Sequence, residues 1–222
     1  MAYTSTFPLT ENPISEGGVW LQHNTNRAKV LTTGGNAFGT GTNNDGYAYL
    51  AGFGDSIIET TIFRDATLSD SEPNSYEFEH LHRVTDTAGT TACYELDCSY
   101  GGGFNLVRWS GATGFAVLSN LITDANFFPD GGGGQWRDGY RFKSELVTAT
   151  STINIYADSG SGYVKFFHYV LGADTVNDNP PLSTGDPALA LFTTIGSSNL
   201  LGFKDVTITP NAASNQLAWI KA

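Results

Sequence analysis

A two-residue hydrophobic alternation recurs along this chain, and it limits the fold more than any other feature. In "SIIETTIFRD", Ser56 to Asp65, the residues Ile58, Thr60 and Ile62 share one face. Ile57, Glu59, Thr61 and Phe63 share the other. "SYEFEHLHRVTD" separates Tyr76, Phe78, His80, His82 and Val84 from Glu77, Glu79, Leu81 and Arg83. "CYELDC" separates Tyr94 and Leu96 from Glu95 and Asp97, and "GYRFKSELV" separates Tyr140, Phe142, Ser144 and Leu146 from Arg141, Lys143, Glu145 and Val147. Successive side chains of a strand point to opposite faces, so each segment reads as a strand with one buried and one wet face. "FNLVRWSG", "STINIYADSGSGYVKFFHYVL", "ALALFTTIG" and "LLGFKDVTITP" extend the series, with turn signals such as "NNDGY", "DTAGT" and "DSGSG" between them. No amphipathic helix longer than two turns stands out. Ten or more such strands predict an all-β, two-sheet antiparallel β-sandwich. The whole chain, 1–222, is expected to be one domain with short extensions at 1–10 and 211–222.

The balance of charges narrows the function. Eleven basic against 22 acidic residues give a net charge of −11. Nucleic acid is repelled on average, and no local basic patch offsets this. A neutral glycan is compatible. No stretch nears about 18 uninterrupted apolar residues, so no membrane span is expected. "MAYTSTFPLTENP" has neither the basic start nor the apolar run of a signal peptide. Cys93 and Cys98 lie five positions apart, roughly 16 Å along one strand and on opposite faces. A disulfide needs Cα atoms within about 7 Å, so on a single strand they do not pair with each other.

The stretch "DGGGGQWRDGYRFKSELV", Asp130 to Val147, is the first candidate ligand loop. Trp136 is placed to stack on a sugar face, Arg137 and Asp138 to bridge hydroxyls, and Tyr140 to stand at the start of the strand. The other reading of the same residues is a long turn whose tryptophan packs on the core. The polar faces of three strands supply further candidates: Glu77, Glu79 and Arg83; Glu95 and Asp97; and Arg141, Lys143 and Glu145. Residues two apart on a strand lie roughly 6.5–7 Å apart. Two carboxyls about 5–5.5 Å apart serve a retaining glycosidase, which Glu77/Glu79 or Glu95/Asp97 approach. His80, His82, Arg83, Tyr140 and Arg141 are residue types that a lyase uses, although His80 and His82 share the apolar face of their strand. "TNNDGYA" and "TVNDNPP" gather oxygens of the kind that hold calcium, without the ordered EF-hand series.

Several segments together resemble the concanavalin A-like lectin/glucanase jelly-roll group, in its bacterial and phage forms. "ENPISEGGVW" is similar to that group's opening phrase, in which a tryptophan packs inward. "YELDCSYGGGFNLVRWSGATGFAVL" resembles its central hairpin, and "GDPALALFTTIGSSNLLGFKDVTI" its closing segment, with Ala188 and Ala190 where glycines often stand. The likeness spans roughly residues 7–209. It implies a jelly roll that binds a glycan or polysaccharide, often with Ca2+, at an extracellular or virion surface. Homo-oligomers or capsid and tail proteins are the implied partners. Glucanases of the group carry E-x-D-x-x-E on one strand. Here "ELDCSY" ends in tyrosine and "EFEHLH" in histidine, so the catalytic set (Glu77, Glu79, His80, Glu95, Asp97) is incomplete. The resemblance therefore favours a non-catalytic binding or structural module over a polysaccharide-degrading enzyme. Beyond the last strand, Leu217, Trp219 and Ile220 are expected to dock on a sheet edge or a second subunit.

Overall fold

The computed structural model describes residues 1–68, 76–99, 103–111, 114–119, 136–194 and 199–211. Its strands in chain order are β1 (Tyr3–Ser5), β2 (Trp20–Leu21), β3 (Val30–Thr33), β4 (Asn36–Gly39), β5 (Gly46–Leu50), β6 (Ser56–Arg64), β7 (Tyr76–Thr87) and β8 (Thr90–Ser99). They continue as β9 (Phe104–Ser110), β10 (Phe115–Val117), β11 (Arg141–Val147), β12 (Thr152–Asp158), β13 (Val164–Val170), β14 (Asp186–Thr193) and β15 (Leu201–Pro210). The first sheet runs β13-β12-β11-β6-β15-β4-β3, with β1 also on β15; the second runs β10-β9-β8-β7-β14-β5-β2. The strand pairings are antiparallel. The predicted two-sheet antiparallel sandwich is what forms.

Alternation does the sorting on the inner faces. Along β6 the buried positions are Ser56, Ile58, Thr60 and Ile62, and along β11 they are Phe142, Ser144 and Leu146. Phe78 of β7 meets the first sheet edge-on, with its ring centroid 5.5 Å from Phe142 and 6.1 Å from Phe203. Each such edge-to-face pair contributes about 0.5–1.5 kcal/mol beyond area burial. Cys93 and Cys98 lie on the single strand β8, both buried and free, with Cys98 in the core between the sheets and Cys93 in the cluster on the outer face.

Two expectations change. Residues 1–10, set apart from the strand pattern by sequence, supply β1, which pairs with the end of β15. Phe7 is wholly buried, and the Tyr3 hydroxyl accepts from Trp20 Nε1 at 2.9 Å. A three-residue strand is too short to show alternation. Trp20 itself packs inward, as the opening phrase implies. The second change is that the outer face of the second sheet is not simply wet. Tyr47, Leu81, Cys93, Trp109, Ala188 and Ala190 form a second apolar cluster there. Leu21 packs against it, and the Arg27 guanidinium lies 4.1 Å from the centre of the Trp109 ring. Gly46 lets this covering segment come close, since a Cβ there would stand 2.4 Å from the Lys29 carbonyl oxygen. Leu217, Trp219 and Ile220 lie outside the described residues, and so does Tyr100.

Candidate functional site

The covered outer face leaves a cleft of about 420 Å³, lined by Arg27, Asp45, Glu95, Asp97, Trp109 and Phe115 among others. Its floor follows from strand register. Glu79 of β7 stands opposite Asp97 of β8, and Asp97 opposite Asn105 of β9. On the other side Glu79 pairs with Ala190 of β14, and Ala190 with Tyr47 of β5. The small Ala190 leaves room above it, so Asp45, at the entry to β5, reaches towards Glu79. One carboxylate oxygen each from Asp45, Glu79 and Glu95 lies within 4.8 Å of the others.

The carboxyls are unequally satisfied. Trp109 Nε1 donates to Glu95 Oε2 at 2.6 Å, Asn105 Nδ2 to Asp97 Oδ2 at 3.1 Å, and Arg27 Nη1 to Asp45 Oδ2 at 2.6 Å. Glu79 is 0% exposed, and among the described residues neither of its oxygens meets a donor; nor does Asp97 Oδ1. Burial, then the charges of Asp97 and Glu95, pushes Glu77 up to about 9. Burial, then neighbouring carboxylates, raise Glu79 and Glu95 as well, and burial raises Asp97 against the pull of its Asn105 hydrogen bond. Crowded carboxyls in a low-dielectric site cannot all ionise. They must keep protons, gather a cation, or accept hydrogen bonds from a ligand.

Glu77, Glu79, Glu95 and Asp97, grouped by the sequence on polar strand faces, stand side by side on this face. The sequence did not place the others. His80 lies between the sheets, its Nε2 3.0 Å from Thr60 Oγ1 and its Nδ1 2.9 Å from Ser144 Oγ. It cannot reach a ligand on the outer face. His82 Nε2 shares the same Ser144 oxygen at 2.8 Å. Arg83 sits in a β-bulge with φ 54° and grips Asp55 through Nε and Nη2, each at 2.8 Å. Gly185 is needed beside it, because a Cβ there would lie 2.2 Å from the Arg83 carbonyl carbon.

The glycine-flanked loop is corrected most. Trp136 is 1% exposed, with Phe78 4.7 Å and Phe142 5.5 Å away edge-on, so its ring is core and has no face for a sugar. Tyr140 is buried too. Arg137 and Asp138 are exposed, and Asp138 accepts from Lys204 Nζ at 2.7 Å and from the Arg64 amide at 3.0 Å. Arg141 and Glu145 stand on the outer face of the first sheet, across the sandwich from the cleft. There Arg141 lies over Tyr163 at 4.7 Å and Glu145 accepts from the Tyr156 hydroxyl at 3.2 Å. The sequence reading missed Arg27, Asn105, Trp109 and Phe115. The alternation Asn105, Val107, Trp109 in "FNLVRW" carried a usable signal, because it faces "ELD" across one hairpin.

The calcium expectation divides in the same way. In "TVNDNPP", Asp178 is wholly buried and takes the Tyr94 hydroxyl at 2.7 Å, the Gly172 amide at 2.7 Å and the Tyr169 hydroxyl at 3.3 Å, with Arg108 Nη1 3.5 Å away, so protein groups already occupy its oxygens. In "TNNDGYA", Asp45 belongs to the acidic group just described.

No protein-family model matches the sequence, and neither does any curated protein. Solved structures do match. The VIP36 exoplasmic/lumenal domain in its Ca2+/Man-bound form superposes with a TM-score of 0.57 at 9% identity, covering 98% of this chain and 93% of that one. The endo-1,3-β-glucanase from Streptomyces sioyaensis gives 0.53 at 10% identity over 94% and 96%. The carbohydrate-binding module CBM66 from Bacillus subtilis gives 0.50 at 12% over 89% and 96%. The chain has the concanavalin A-like lectin/glucanase jelly-roll fold.

Proposed function

We propose that this chain is a non-catalytic carbohydrate-binding module that holds a neutral glycan in the cleft on the outer face of the second sheet. The observation that carries this is the mixture of groups lining it. Acceptor carboxyls (Asp45, Glu77, Glu95, Asp97) and amides (Asn43, Asn105) stand beside the apolar Val107, Trp109, Phe115 and Val117. Concave sites with an apolar wall and a few convergent polar groups suit sugars, which offer C–H faces and hydroxyl donors. Phe115 is 71% exposed and available for stacking. The acidic lining disfavours uronates and sulfated polymers. Similar folds whose names include a Ca2+/Man-bound form and a carbohydrate-binding module support the reading. An extracellular or virion surface, and capsid or tail partners, rest on the sequence resemblance alone.

Affinity electrophoresis through gels containing β-1,3-glucan, β-1,4-glucan or mannan tests the proposal. Retardation in at least one neutral gel, and none in alginate, is expected; free migration in all of them would sink it. One observation favours hydrolysis as a second reading. Glu77 stands directly opposite Ser99, two positions beyond Asp97, and is raised far enough to act as an acid. Reducing ends released from a retarding glycan, and lost in Glu77→Gln, would replace binding with turnover.

A further inference from the structure

We propose that Asp45, Glu79 and Glu95 form a binding site for a hard divalent cation, with calcium the best fit, at the floor of the cleft. The inference needs no glycan and stands apart from the binding reading. Two oxygens on one calcium ion can lie up to about 5 Å apart, since each sits about 2.3–2.6 Å from the metal. Three carboxylate oxygens from Asp45, Glu79 and Glu95, all within 4.8 Å of one another, meet that condition. They come from three different strands or strand entries, and the register around Ala190 brings them together.

A second observation points to a missing partner. Glu79 is 0% exposed and neither of its oxygens meets a donor among the described residues; Asp97 Oδ1, beside it in the register, is equally without one. Buried carboxyls in folded proteins are almost always hydrogen-bonded, paired or metal-bound. Arg27 makes the only ion pair to this group of five carboxyls among the described residues, and its 2.6 Å contact is to Asp45. Among the described residues that leaves Glu77, Glu79, Glu95 and Asp97 without an ion-pair partner. The donors are all oxygen, which suits calcium, magnesium or manganese and not zinc. Asp45 and Glu95 also line the cleft, so a bound ion would have an open side facing it. Trp109, bonded to Glu95 at 2.6 Å, provides a reporter beside the site.

The test uses the 222-residue chain at pH 8 after treatment with chelator, and terbium as a luminescent stand-in for calcium. Saturable terbium emission on tryptophan excitation, displaced by calcium, is expected. Glu79→Gln and Asp45→Asn should each weaken it at least tenfold, and Asp65→Asn, a surface carboxyl remote from the cleft, should leave it unchanged. Asp45 is only partly buried, so its variant keeps the test meaningful if Glu79→Gln misfolds. Absence of saturable emission, emission that calcium does not displace, or wild-type affinity in Asp45→Asn would each overturn the site.

Discussion

Two groups of buried polar side chains lie only one strand's thickness apart in this sandwich, and they contrast in how well they are satisfied. Between the sheets, Ser144 of the first sheet bonds both His80 and His82 of β7, and Thr60 bonds His80 from the other side. On the opposite face of the same strand, Glu79 meets no donor among the described residues, and burial and then its neighbouring carboxylates press against its charge. A closed hydrogen-bond network rigidifies a core, whereas an open one is costly until something completes it. The inner group is therefore read as structure and the outer group as a site. β7 carries both, two residues at a time.

The largest expected effect breaks the inner group. Ser144→Ala removes the shared partner of two buried histidines, and each stranded polar group costs about 1–3 kcal/mol. Urea unfolding should show a loss of roughly 2–5 kcal/mol, and a loss under 1 kcal/mol would mean the network does not hold the sheets. Acid should act through the same residues. Burial first, with Arg83 adding, holds His82 down at about 3 against an ordinary 6.5. The unfolded chain takes that proton below about pH 6.5 and the folded chain does not, so stability falls as pH drops from about 6.5 towards 3. His82→Gln should make that limb shallower, with buried His80 supplying what remains, in urea midpoints measured at pH 6.5 and 4.5.

The outer group should respond with opposite sign. With chelator present, Glu79→Gln replaces a buried, crowded carboxyl with a neutral amide of the same shape, and is expected to leave stability unchanged or raise it by about 1 kcal/mol. A loss above 2 kcal/mol would show that Glu79 is already satisfied. Glu77 sets the alkaline side. Unfolded, it titrates near 4.5; folded, it holds its proton to about 9. Its contribution is complete below about pH 4.5 and is lost as pH rises towards 9. Glu77→Gln should make that slope shallower, the remainder coming from Glu79 and Glu95, which are raised in the same way. The smallest effect belongs to Phe115→Ala. It should leave the melting temperature unchanged and weaken glycan retention severalfold, within the roughly two- to twelvefold that a stacking contribution of about 0.5–1.5 kcal/mol represents.

The contrast also explains what the sequence could reveal. Alternation placed Phe78, Phe142 and Ile58 inward and paired Glu77 and Glu79 with Glu95 and Asp97, because strand faces follow from local order alone. It could not say on which sheet a polar face would lie, so Arg141 and Glu145 were grouped with carboxyls that stand across the sandwich. Trp136 was ambiguous for a related reason: a tryptophan beside a glycine run looks the same whether it caps a core or faces a ligand. Asp45 and Arg27 reach the cleft only through the long-range placement of β5 on β14 and of the covering segment over Trp109.

Which face of the sandwich holds the ligand decides between the two sheets as its site. Affinity electrophoresis should compare the wild type with Glu95→Gln/Asp97→Asn on the second sheet and with Arg137→Ala/Arg141→Ala on the first. Retardation by a neutral glycan that disappears in the first double variant and persists in the second is the predicted result. Retardation that survives loss of Glu95 and Asp97 but disappears with Arg137 and Arg141 would contradict the account.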